Sequence, residues 1–67
     1  MSKKCDIIRA AREAAGLTQK ELGMAVGLPE KTAQVRVAHW ESGFRPMPRA
    51  LIRKVADVLK IDPVTLI

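Results

Sequence analysis

The stretch LTQKELGMAVGLPEKTAQVRVAHWESG, residues Leu17 to Gly43, decides how this chain folds. It opens on Thr18-Gln19-Lys20-Glu21, which reads as a capping box. The Thr18 side chain accepts from the backbone N–H three residues on, and Glu21 reaches back to the N–H of Thr18. A short helix follows from about Gln19 to Val26, with Leu22, Ala25 and Val26 inward and Gly27 as its stop. Gly23 in mid-helix costs about 1 kcal/mol relative to alanine; a small residue there makes sense if another helix crosses closely over it. Pro29 does not belong in a helix interior but suits a first turn, so the next helix is expected from about Glu30 to Ser42. That helix places Ala33, Val37 and Trp40 on one face, and Gly43 ends it.

On the N-terminal side, Ile7, Ile8, Ala11, Ala14 and Ala15 keep the three-four spacing of one helical face. Gly16 stops that helix in the left-handed conformation that helix ends favour, and Leu17 packs back onto the core. On the C-terminal side, Arg45-Pro46-Met47-Pro48 is an extended connection, since each proline biases its predecessor away from helix. A fourth helix from about Pro48 to Leu59 buries Leu51, Ile52, Val55, Ala56 and Leu59. Asp62-Pro63 starts a final turn through Leu66 and Ile67. No stretch of useful length alternates like a strand. The expectation is an all-α fold, a compact four-to-five-helix bundle forming a single domain over residues 1–67. Within it, residues 18–42 make a helix-turn-helix.

The chain has 67 residues and a net charge of +5, and the excess is localised. Between Lys31 and Lys54 six cations (Lys31, Arg36, Arg45, Arg49, Arg53 and Lys54) face one anion, Glu41. The remainder balances. Such a window is a footprint for a polyanion, or else a solvated basic face. Aromatics are only Trp40 and Phe44, which argues against a stacking platform for single strands. A lone cysteine, Cys5, makes no internal disulfide and fits a reducing, cytoplasmic setting. No apolar run reaches the roughly 18 residues of a membrane span, and no signal-peptide pattern is present. One His and one Cys without zinc-ligand spacing, dispersed carboxylates and no phosphate-cradling glycine loop leave enzyme chemistry unsupported. No cofactor, metal or small-molecule substrate is expected.

An ordered set of residues gives the resemblance. It runs from Ile8-Arg9 and Arg12 through Gly16-Leu17-Thr18-Gln19-Lys20-Glu21-Leu22 and Gly23…Gly27 to Trp40-Glu41-Ser42-Gly43 and Pro46. It ends with Leu51, Val55, Ala56, Leu59, Ile61 and Leu66. This resembles the phage Cro and repressor-type helix-turn-helix family, often called the XRE family, over about residues 6–66. The chain departs from it twice. Gly23 stands where the family usually has alanine. The family also spans Gly27 to Trp40 with about four fewer residues, close to one helical turn of 3.6. Either the extra residues, around Pro29 to Thr32, lengthen the recognition helix at its N-terminal end, or the turn is longer and the helix starts near Thr32 as N-cap.

The resemblance implies a repressor-like, sequence-specific binder of double-stranded DNA with its third helix in the major groove. Counted from Val37, the family's reading positions fall on Gln34, Val35 and His39, and Arg36 is a further base-reading candidate. Glutamine can pair with adenine, and valine can press on a thymine methyl. Gln19 corresponds to a phosphate contact at a helix N-terminus. Lys31, Thr32, Arg45 and Arg49 are candidate backbone contacts, which hold register but read no sequence. Arg12 and Glu41 correspond to a partly buried structural ion pair, and Trp40 is core. Cys5 reads as an inert thiol near the terminus. A homodimer on a two-fold-symmetric operator is expected, with the dimer surface in Ile61 to Ile67, where apolar residues outlast the core's needs. The rival readings are an antitoxin or adaptor that binds protein, and a DNA-binding fragment of a longer regulator.

Overall fold

The computed structural model describes residues 4–66; the Cys5 side chain and Ile67 lie outside the described residues. Four helices follow one another, α1 (Lys4–Ala14), α2 (Gln19–Ala25), α3 (Glu30–Ser42) and α4 (Arg49–Leu59), and a 3-10 turn at Pro63–Leu66 closes the chain. The fold is all-α with a helix-turn-helix in α2 and α3. Its radius of gyration, 10.4 Å, is what a packed chain of this length should have, about 11 Å. Among the described residues no helix is long and apolar enough to cross a membrane.

Three of the four helices end in the same way. The backbone N–H of Leu17 donates to the Arg12 carbonyl, Leu28 to Gly23 and Ile61 to Ala56. Each bond spans a residue with positive φ: Gly16 (74°), Gly27 (94°) and Lys60 (57°). This is the Schellman motif, and the apolar residue just past each stop folds back onto the helix it ends. Leu17, Leu28 and Ile61 accordingly pack against the core. The stops therefore aim the chain as well as ending helices.

The core is Ile8 of α1, Leu22 and Val26 around α2, Val37 and Trp40 of α3, Val55, Ala56 and Leu59 of α4, and Leu66 of the closing turn. Two expectations are corrected. Ala25, expected inward, is exposed; α2 is short, and its buried stripe is Leu22, Gly23 and the capping Val26. The Ile61–Ile67 segment also has less apolar surface to spare than expected. Leu66 is buried and Ile61 packs on the core, so among the described residues of this segment Val64 is the large apolar side chain left exposed. Asp62 fixes this segment, its carboxylate accepting the Val64 N–H at 2.9 Å.

The start of α3 lies at Glu30. Pro29 is its N-cap, and the Pro29 carbonyl accepts from the N–H of Ala33 at 2.8 Å and of Thr32 at 3.1 Å. Thr32 is inside the first turn, its hydroxyl donating back to the same carbonyl at 3.5 Å. The helix is thus 13 residues, a length of about 20 Å. Its extra turn keeps phase, with Ala33 and Val37 both fully buried.

Candidate nucleic-acid interface

α3 has two faces. Ala33, Val37, Trp40 and Glu41 are buried. Lys31, Gln34, Val35, Arg36 and Ser42 are exposed, and Thr32, Ala38 and His39 are half-buried. Successive residues turn by about 100° around a helix, so Val35 stands opposite the buried stripe, and Lys31 and His39 fall on its line at spacings of four. Gln34 and Arg36 flank Val35 on opposite sides. Gln34 shares its flank with Glu41, seven residues on. Arg36 shares its flank with the Arg45–Pro48 segment. Of the side chains expected to read bases, Val35 and His39 therefore face away from the core, while Gln34 and Arg36 stand on opposite edges, each about 100° from Val35.

The Gln34 flank leads to the start of α2. There the capping box is complete: the Thr18 hydroxyl accepts from the Glu21 N–H at 3.0 Å, and the Glu21 carboxylate accepts from the Thr18 N–H at 2.8 Å. The bond from the Thr18 backbone, then that from its hydroxyl, holds the Glu21 carboxyl below its ordinary pKa. Lys20 lies 2.9 Å from Glu30 and, through that hydrogen bond and its charge, holds the Glu30 carboxyl low as well. This pair joins the first turns of α2 and α3, and it neutralises the one carboxylate at the tip of α3.

Beneath this flank sits a buried ionic cluster. Glu41 is 4% exposed. Its carboxylate accepts from Arg12 Nε at 2.6 Å, Arg12 Nη2 at 3.2 Å and Gln19 Nε2 at 3.3 Å. Arg9 Nε stands 3.7 Å away. Arg12 uses its remaining nitrogen on the Leu17 carbonyl at 2.7 Å. The hydrogen bond to Glu41 raises the Arg12 pKa further. Gln19, expected against a phosphate, thus donates its amide to Glu41 and ties the start of α2 to α3. No buried side-chain polar atom among the described residues lacks a partner.

The Arg36 flank borders the loop after α3. Gly43 takes φ 78° and turns the chain so that Phe44 lies against His39, with ring centroids 5.0 Å apart. Arg45 lies over the other ring, 5.8 Å from the Phe44 centroid. Phe44 is 70% exposed, and composition alone did not mark it as part of a site. The contact forms across a glycine turn, outside any helical spacing. Arg36, Arg45 and Arg49 are exposed and make no ion pair with a described carboxylate.

A family model described as helix-turn-helix matches residues 8–66. Neither curated proteins nor solved structures give a match.

Proposed function

The chain belongs to the XRE-type helix-turn-helix family, a family of DNA-binding transcription regulators, and from that premise we propose that it represses transcription by binding a specific double-stranded operator. α3 lies in the major groove. Gln34 pairs with an adenine edge, Val35 packs on a thymine methyl, and His39, braced by Phe44, donates to a guanine acceptor. Lys31, Thr32, Arg45 and Arg49 hold the phosphate frame, as does the start of α2 near Gln19. One observation carries this reading. The side of α3 opposite its buried stripe presents Lys31 and Val35 to solvent, Val35 at 53% exposure, with Gln34 exposed on the edge beside them. A valine held outward between polar residues has no role in the fold, but it fits a groove lined by base edges.

A single module of this size covers little DNA, about 600–1,000 Å² of protein surface. A homodimer on a two-fold-symmetric site, with half-sites about 10 bp apart or a multiple of it, supplies the rest. Selection of bound duplexes from a random pool tests both parts. The reading expects one enriched motif repeated with two-fold symmetry. Enrichment of no motif would sink it, and an unrepeated motif would remove the dimer.

A further inference from the structure

A groove of about 520 Å³ opens where α1, α2 and α4 end, a size within the range of small-molecule sites, roughly 300–1,000 Å³. Its wall is mostly apolar: Ala14 of α1, Ala25 of α2, Val58 of α4 and Ile61 just beyond it. Ala14 and Ala25 are exposed, and their small side chains leave the groove open. Lys60 is the one charged residue among those that line it, and no residue of α3 takes part. Lys60 also holds an unusual backbone. The three Schellman stops all need a positive φ; two of them, Gly16 and Gly27, are glycine, and the third is Lys60, at 57°. L side chains rarely adopt that conformation, because it brings Cβ close to the following carbonyl oxygen. The chain thus keeps a lysine where glycine would rest more easily, at the helix end that borders the groove. Lys60 is exposed, and no described carboxylate stands within ion-pair distance of it.

We propose that this groove binds a small apolar carboxylate, a free molecule with the chemistry of a medium-chain fatty acid, its chain along Ala14, Ala25, Val58 and Ile61 and its head on the Lys60 ammonium. The chain leaves water for an apolar wall. The head meets a compact point charge with three donors, which suits one carboxylate. A net charge of +5 on the protein draws an anion and repels a cationic chain of the same length. The lining comes from the ends of three separate helices, so no stretch of sequence announces it. Because α3 is not involved, the inference stands apart from the DNA-binding reading, and its test needs no duplex.

The test is a titration of the isotope-labelled protein with decanoate, decanol and decylamine, each below its micelle concentration, followed by amide NMR. Decanoate should give saturable shifts centred on Ala14, Ala25, Val58 and Ile61. It should bind about tenfold more tightly than decanol, the size of one charge-assisted contact, and decylamine should bind most weakly. Lys60→Gly should melt at a higher temperature than wild type, because glycine accepts the positive φ. It should nevertheless lose about tenfold in affinity for decanoate and none for decanol. Ala25→Trp fills the groove from an exposed position and should lose both ligands while circular dichroism shows it folded. Equal affinity for decanoate and decanol would overturn the carboxylate site, and shifts that never saturate or that centre elsewhere would overturn the groove. A Lys60→Gly variant that binds decanoate as wild type does would contradict the proposal. So would one that melts at a lower temperature, since the lysine would then serve the helix end itself.

Discussion

Gly23 of α2 lies directly under Ala33 of α3: a methyl group placed on Gly23 would stand 2.6 Å from the Ala33 Cβ and 2.8 Å from its Cα and carbonyl oxygen. The obstacle is backbone, so no side-chain rotation relieves it. Ala33 is the fourth residue of α3, directly after the residues Pro29 to Thr32 that lengthen the Gly27–Trp40 interval. The α3 backbone comes down on α2 at this point, and glycine is what lets it settle there. Gly23→Ala should destabilise by about 1–3 kcal/mol, because overpacking outweighs the roughly 1 kcal/mol that alanine gains in helix propensity. Urea unfolding measures this; a more stable variant would show that α3 does not rest on Gly23.

Arg12→Met leaves the Glu41 carboxylate buried with Gln19 and the more distant Arg9 as partners. The expected cost is about 3 kcal/mol, the low end for breaking a buried pair, because Arg9 can move in. Replacing both residues together should cost less than either single change. That comparison, made by chemical denaturation, separates the attraction between the partners from the penalty of stranding one of them.

Glu21 contributes a pH-dependent increment of stability. Its carboxyl is held below the ordinary value by the Thr18 backbone N–H and hydroxyl. The increment is therefore complete above the unfolded-state value, about 4.3, and is lost as pH falls through the lower native value, where the carboxylate is protonated in place. Glu21→Gln lacks it. The difference in Tm between wild type and Glu21→Gln should be constant from neutral pH to about 5 and close at more acid pH. A gap that persists unchanged in acid would mean that the charge on Glu21 does not matter.

Arg49 opens α4 beside the proline loop, exposed and unpaired among the described residues. If it meets a phosphate, Arg49→Ala weakens binding to all duplexes alike and reduces the dependence of log K on log salt by about one unit. An unchanged slope would take Arg49 out of the interface.

Most of the fold could be read from local chemistry. The capping box at Thr18, the glycine stops at Gly16, Gly27 and Gly43, and the stripe of α4 are short-range signals, and the helices start or stop there. The start of α3 was ambiguous because a proline at position 29 and a threonine at 32 each suit a helix beginning. The choice depends on where α2 leaves room and on the Lys20–Glu30 pair, neither of them local. The sequence places the Ile61–Ile67 segment, Leu66 included, on a surface because it does not show that α1 and α4 leave a gap for Leu66. The site divides in the same way. Helical spacing gives Gln34, Val35 and His39 as residues on or near the outer side of α3, whereas the Gln19–Glu41 bond, 22 residues apart, and the Phe44–His39 stack depend on how the elements pack.

The central claim is that the outward flank of α3 reads base pairs, and Gln34 tests it most directly. The measurement is the affinity of wild type and Gln34→Ala for the selected duplex, for its single-base-pair variants and for random duplex. Gln34→Ala should lose about 1–3 kcal/mol on the selected duplex, relax the preference at one base pair, and bind random duplex as wild type does. Equal losses on every duplex would contradict the account.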